Sequence, residues 1–375
     1  MAKKKFSAGL TFVACLLALV IGFAAAFCAY TYIKRPKGGD VYVSGDLSIH
    51  FMQLGNNYTG DSIYIKAGDT DILIDAGSRA NSTDATAAYI DKYCEDGKLE
   101  YVIATHADQD HIAGFAGSTD SPSIFDRYEC EVIIDFPRTD KDTQTYQKYC
   151  EKRDAEVAAG AKHYTALECW NNENGALRVY DVAFGVEMEI LYNYFYENDS
   201  SDENNYSVCL MFNQGDKHFL FTGDLEEEGE EYLVEYNTLP EVELFKAGHH
   251  GSKTSSNDCL LSVIKPKIVC VCCCAGSVEY TQNFENTFPT QAMIDRVAQY
   301  TVRVYVTTYG DVKYDASKGK YIDDGYGALH GDIVVTSNRT GVTVKCSKND
   351  GVLLKDTEWF KENRVTPAVW AAAAA

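Results

Sequence analysis

The segment Thr105-His106-Ala107-Asp108-Gln109-Asp110-His111 places four metal-binding groups within six positions. Imidazole and carboxylate are the ligands that hold zinc, iron or manganese while leaving a coordination position open for water. Two further segments have the same character. Phe219-Leu220-Phe221-Thr222-Gly223-Asp224 delivers one carboxylate past a glycine, and Leu244-Phe245-Lys246-Ala247-Gly248-His249-His250-Gly251 delivers two histidines between glycines. Alone, Asp224 reads equally well as a helix N-cap before Leu225-Glu226-Glu227-Glu228. Together the three segments make chance a poor explanation. A bound divalent ion lowers the pKa of water from about 15.7 to roughly 7, and two ions about 3.5–4 Å apart can clamp both oxygens of a displacement. That chemistry suits phosphodiesters, and also lactones and β-lactams.

The elements that must carry these groups are short apolar strands. Tyr101-Val102-Ile103-Ala104 reads as a buried strand ending in the His/Asp loop, and Ile112-Ala113-Gly114 as the start of a helix or turn. Residues 84–93 read as a helix, 132–134 as a buried strand, and 141–166 as one long helix that includes His163. Strands at 186–191 and 208–212 lead to Asp224, with a polar, mobile loop over 197–205 between them. A helix at 291–300 precedes a strand at 302–306, and 331–336 reads as a last strand. The ligand segments are spread over about 145 positions and must converge, so we expect one large α/β domain.

The chain resembles the metallo-β-lactamase superfamily, and within it the ComEC-type hydrolase domain of DNA-uptake proteins. The resemblance runs from about Leu47 to Lys345. It rests on the 105–111 loop and on His249-His250-Gly251-Ser252, supported by Gly60-Asp61-Ser62, Ile74-Asp75-Ala76-Gly77, Asn205-Tyr206-Ser207-Val208 and Thr222-Gly223-Asp224. It implies a four-layered αβ/βα sandwich with the site at one sheet edge. It implies two divalent ions, zinc first, with manganese or iron able to compete. One site would use His106, Asp108 and Asp224, completed by water or a weak oxygen donor. The other would use Asp110, His111, His250 and a bridging Asp224. Asp108 replaces the usual second histidine of the loop, as in ComEC-type members. The superfamily's middle histidine has no counterpart, and Asn205 and Ser207 fall near its place. Phe288-Pro289 stands where relatives often carry His-Pro.

The catalytic assignments are Asp110, which binds a metal and orients the nucleophile, and His249, which donates to a developing oxyanion or leaving group. The residues alone allow His249 and His250 to be exchanged. Ser252, Thr254 and Ser255 could donate to phosphate oxygens or cap a helix before Cys259-Leu260-Leu261. The expected activity is metal-dependent hydrolysis of a phosphodiester, with nucleic acid as the family-weighted substrate. The alternatives are a phosphorylcholine-type esterase or lactonase, and an anchored binding module with a degenerate site. No protein partner can be inferred.

Residues 9–33 are almost wholly apolar and long enough for a membrane-spanning signal anchor, after a basic stretch at 1–8. Ala24-Ala25-Ala26 offers a cleavage site as the alternative. The resulting division is a linker at 34–45, the hydrolase domain at 46–346 and a tail at 347–375. The narrow excess of N-terminal positive charge puts the catalytic domain outside the cytoplasm of a single-pass protein, with the cytoplasmic face as the alternative. A net charge of −21 argues against broad, backbone-driven nucleic-acid binding, though a metal can manage one phosphate locally. Cys270-Val271-Cys272-Cys273-Cys274 lacks a paired zinc spacing and reads as a buried strand.

Overall fold

The computed structural model describes residues 47–372. The expected spanning segment at 9–33 lies outside the described residues, and among those described no helix is long and apolar enough to cross a membrane.

Two eight-stranded sheets carry the architecture. The N-terminal half supplies β1 (Leu47–Phe51), β2 (Ile63–Ala67), β3 (Thr70–Ile74), β4 (Lys98–Ile103), β5 (Glu129–Asp135) and β6 (Lys162–Thr165). The second half supplies β7 (Val179–Ala183), β8 (Val186–Ile190), β9 (Leu210–Gln214), β10 (Lys217–Phe221), β11 (Leu244–Lys246), β12 (Ile268–Ala275), β13 (Val304–Asp315) and β14 (Lys320–Ala328). The chain then returns to the first sheet as β15 (Ile333–Asn338) and β16 (Gly341–Cys346). The orders are β16-β15-β1-β2-β3-β4-β5-β6 and β14-β13-β12-β11-β10-β9-β8-β7.

Apolar side chains from both sheets share one core, with Phe51 stacked on Phe221. The outer face of the first sheet is covered by α1 (Ser82–Ile90), α2 (Gln109–Ala116) and α3 (Gln144–Ala159). That of the second is covered by α4 (Glu227–Tyr236), α5 (Asp258–Ile264), α6 (Gln291–Val297) and α7 (Glu358–Asn363). The result is a layered αβ/βα sandwich. The cysteine-rich run is β12, buried at every position.

What positions the site is strand direction. β3 through β6 run parallel in one sheet, and β10 through β13 in the other. Loops following parallel strands emerge at the same rim, which is where α/β sheets gather their ligands. Asp75 follows β3, the 105–111 loop follows β4, Asp224 follows β10, and His249-His250 follows β11.

Three expectations need correction. The helix read over 141–166 ends at Ala159, where Gly160 turns with φ 128°, and His163 lies in edge strand β6, paired with buried Asp135. The loop at 197–205 is pinned: Asn193 donates to the carbonyls of Asn205 and Ser207, and Asp202 caps a 3-10 turn at Glu203–Tyr206. The segment after 346 folds onto the second sheet, where Leu354, Phe360 and Trp370 are buried in the core. Trp370 also donates to the Thr301 carbonyl.

Candidate metal centre

The strand-end loops are stitched to one another by backbone. Ala76 N–H donates to the His111 carbonyl, Gly114 N–H to the Ala76 carbonyl, and Asp61 N–H to the Asp110 carbonyl. A Cβ on Gly77 would fall 1.4 Å from the Asp110 carbonyl oxygen, so only glycine permits this approach. His249 and His250 both adopt left-handed backbone, with φ of 45° and 53°. That conformation is costly for residues with a Cβ and persists only where the surroundings impose it.

The buried His111 and His250 rings are oriented from behind. Nδ1 of His111 lies 2.8 Å from Asp75 Oδ2, and Nδ1 of His250 lies 2.9 Å from the Cys272 carbonyl. Each Nδ1–H is thereby committed, which turns each Nε2 lone pair inward, the usual way a ligating histidine is fixed. The two Nε2 atoms are 3.3 Å apart, and each is 3.1 Å from Asp224 Oδ2. Asp110 Oδ2 lies 3.4 Å from His250 Nε2. Donors bound to one tetrahedral ion at about 2.0–2.1 Å stand roughly 3.3 Å apart. His111 Nε2, His250 Nε2 and Asp224 Oδ2 therefore have the mutual spacing of donors to a single divalent cation, and Asp110 Oδ2 adjoins them on the His250 side.

The electrostatics point the same way. Burial would depress the His111 and His250 imidazoles, but nearby carboxylates, Asp224 foremost, hold both well above the ordinary histidine range. Burial would raise Asp224, yet His111, His250 and Lys246 hold it well below the carboxylate range. Asp110 is held low in the same way, against burial, by His250 and His111. The space between Asp224, Asp110 and the two imidazoles thus attracts positive charge. His106 behaves oppositely: burial and the neighbouring His111 push it well below its ordinary value. Its Nε2 is buried with no hydrogen-bond partner, so it too presents a lone pair suited to a metal. Asp108 Oδ2 is 3.8 Å from that nitrogen, while its Oδ1 is 2.5 Å from Lys141 Nζ. Among the described residues, no third thiolate, imidazole or carboxylate joins these two in a tight cluster. Ser207 lies 3.5 Å from His106 Nδ1 and accepts the Asp224 N–H, so it braces the site.

A family model described as the metallo-β-lactamase superfamily matches residues 55–124 and 202–275, the two stretches that contain the strand-end loops described above. The chain carries a metallo-β-lactamase-superfamily hydrolase domain. Its domain is similar to ComE operon protein 3 of Bacillus subtilis, 26% identical over 58% of this chain and 24% of that protein. Competence protein ComA of Neisseria gonorrhoeae is 24% identical over 69% of this chain and 31% of its own length. The matched region thus spans between about a quarter and a third of these relatives. Among solved structures, the metallo-β-lactamase fold protein YhfI from Bacillus subtilis aligns with a TM-score of 0.40 and 10% identity, covering 70% of this chain and 95% of that one.

Around the metallo-β-lactamase centre stand residues to which sequence reasoning gave no role. Asp61 offers a donor within 4.8 Å of those of His111, Asp224 and His250, but it faces the committed Nδ1 edges of the rings. We place it behind the imidazoles, where Lys246 pairs with it. The Lys246 ammonium, fully buried, also donates to the Gly223 carbonyl and lies 3.3 Å from Asp224 Oδ1. Burial would lower Lys246, but Asp61 and Asp224 outweigh it and keep the group charged. A lysine inside an apolar strand was the available signal, as was the aspartate closing the strand Ile72-Leu73-Ile74-Asp75.

The cage opens into a cleft of about 290 Å³ lined by Arg79, Asp108, Gln109, Asp110, Asn204, Asp224, His249 and Tyr280. His249 Nδ1 sits 3.1 Å from Glu226, which also accepts from Thr254. Asn205 accepts the Glu226 N–H. Ser252 bonds Thr254, and Ser255 is fully buried and donates to the Leu225 carbonyl. Of the residues offered as phosphate donors or helix caps, Thr254 and Ser255 here use their hydroxyls to hold the loop after His250.

That loop has a second anchor. Buried Glu230 accepts from Ser256 N–H, Asn257 N–H and the Asn257 amide. Burial outweighs these bonds and raises its pKa from 4.5 to about 7. The folded chain therefore keeps a proton on Glu230 that the unfolded chain releases near 4.5. Stability contributed by this group is full below pH 4.5, falls as pH rises to about 7, and is flat above. The loss is on the order of 3 kcal/mol at 1.36 kcal/mol per pKa unit. Thermal melts of wild type and Glu230→Gln between pH 4.5 and 7.5 should show that slope in the first and its flattening in the second.

Proposed function

We propose that the chain is a metal-dependent phosphodiester hydrolase held at the outer face of a membrane by its apolar N-terminal segment. The observation that carries this reading is the convergence of His111 Nε2, His250 Nε2 and Asp224 Oδ2, with Asp110 Oδ2 beside His250, next to a solvent-open cleft that Asp224 and Asp110 line. A divalent ion held there, zinc or manganese, supplies an activated water and a Lewis acid. Asp75 and the Cys272 carbonyl keep the imidazoles in their ligating tautomer. Asp110 fixes one wall, with Tyr280 donating to its carboxylate at 2.7 Å. His249, its Nδ1 facing Glu226, has Nε2 left to donate to a substrate oxygen in the cleft.

Nucleic acid is the substrate favoured by the similarity to competence proteins. A set of exposed rings, one of them on the loop that carries the cleft residue Tyr280, supports it. Tyr314, Tyr321 and Phe284 touch edge to face on the β13–β14 hairpin and the loop that also carries Tyr280. Exposed aromatic rings are the groups on which unpaired bases stack in single-strand binding proteins.

The test is hydrolysis of bis-p-nitrophenyl phosphate and of single-stranded DNA by protein loaded with manganese or zinc. Treatment with chelator should remove the activity and readdition should restore it, and Asp110→Ala and His111→Ala should be inactive. Full activity in chelator would end the proposal.

A further inference from the structure

The cations near the cage differ in what they are free to do. Lys246 is buried behind the imidazoles, while Lys141 and Arg79 are each paired with a carboxylate, Asp108 and Glu279 respectively. Arg79 lines the cleft itself, beside Asp110, Tyr280 and His249, with its side chain 31% exposed. Its guanidinium is held on several sides. Nη2 donates to Glu279 Oε1 at 2.6 Å, Nη1 donates to the Ser78 carbonyl at 2.8 Å, and the group lies 4.1 Å over the Tyr58 ring. Glu279 is itself fixed, because its other oxygen accepts the Thr59 N–H at 2.9 Å. The loop bearing Glu279 and Tyr280 is tied down by Asp323, which accepts from Ser277 and from the Val278 N–H.

A surface ion pair tying two loops together would need none of this aiming, and it would not need to face a catalytic cleft. A guanidinium with five donors, oriented by a carboxylate and an aromatic face, is the arrangement that recognises phosphate oxygens through a planar fork. Paired with Glu279, Arg79 adds no net charge to the cleft, so what it offers an anion is the set of directed N–H donors that its contacts with Glu279 and Ser78 leave open.

We infer that Arg79, aimed by Glu279 and Tyr58, is the substrate-anchoring cation of this cleft and binds the non-bridging oxygens of an anionic phosphoester, so that neutral esters and lactones are poor substrates. This rests on the hydrolase reading above for its kinetic test but not for its binding test. Glu279 is then a positioning residue, acting through Arg79.

The experiment uses manganese-loaded full-length protein, with wild type, Arg79→Met, Arg79→Lys and Glu279→Gln. Inorganic phosphate is titrated calorimetrically into each, and metal content is measured in parallel. Turnover is followed on bis-p-nitrophenyl phosphate and on neutral p-nitrophenyl acetate. We expect Arg79→Met to weaken phosphate binding about tenfold or more and to raise KM for the diester by a similar factor. Its metal content and its kcat/KM for the acetate should stay within about twofold of wild type. Arg79→Lys, with charge but no fork, should fall between, and Glu279→Gln should show a smaller rise in KM. Phosphate binding that is absent in wild type, or equal in wild type and Arg79→Met, overturns the inference. So does a parallel loss on both substrates. If wild type hydrolyses neither ester, the hydrolase reading falls, and the phosphate titration still decides the role of Arg79.

Discussion

His250→Ala should release the metal and His249→Ala should retain it, although the two residues are adjacent and share a left-handed backbone. His250 is fully buried, its Nδ1 is committed to the Cys272 carbonyl, and its Nε2 faces Asp224 and His111. Removing it takes one of three converging donors and leaves Asp224 and Asp110 facing a gap. His249 is partly exposed, lines the cleft and leans on Glu226. Alanine keeps a Cβ at both positions, so the backbone strain is common to the pair and cancels from the comparison. Elemental analysis after desalting should find His250→Ala nearly metal-free and His249→Ala at the wild-type level. On a phosphodiester, His250→Ala should lose at least about 10³-fold in kcat/KM, since a catalytic ion contributes several kcal/mol and each 1.36 kcal/mol is tenfold. His249→Ala should lose about 10²–10⁴-fold, in kcat, as for a positioned proton or hydrogen-bond donor. The kinetic ranges overlap, so metal content is the deciding measurement. The opposite pattern, with metal lost from His249→Ala alone, would exchange the two assignments.

That ambiguity shows where sequence reading stops. His249-His250 at a strand end announces a ligand, but only the Nδ1 partners say which ring faces inward, and those partners come from Cys272 and Glu226, 22 and 23 residues away. The strand-then-ligand segments were legible because each keeps its strand and its chemistry within a few consecutive residues. Asp61, Asp75 and Lys246 do not. Each is polar within an apolar context, and its meaning lies in what folds onto it. The helix read over 141–166 overran because Ala-rich sequence continues to Ala161, while the turn at Gly160 and the pairing of β6 with β5 are set by position in the sheet. The segment after 346 looked like a tail because its aromatic residues are sparse. Trp359, Phe360 and Trp370 cover a face of the second sheet that no local pattern reveals.

Lys246→Met should be the most destabilising single change around the centre. Methionine preserves the length of the side chain and removes the ammonium. Asp61, fully buried, then loses its partner, and Asp224 Oδ1 loses a neighbour at 3.3 Å. Removing one member of a buried pair costs about 3–5 kcal/mol, because the remaining charge is left without compensation. With an unfolding entropy of about 2.1 cal/mol/K per residue, that lowers the Tm of a domain of this size by roughly 4–7 °C. The companion test is Lys246→Met with Asp61→Asn. If the cost is the orphaned carboxylate, the double variant should regain most of the loss, and the two changes should be strongly non-additive. Additive losses would mean that Lys246 acts through packing alone. Melts must be run in chelator, because a dication on the Oδ2 side of Asp224 would replace part of the missing positive charge. The same melts with manganese added should therefore show a smaller gap between Lys246→Met and wild type, a dependence on metal that a packing defect would not have.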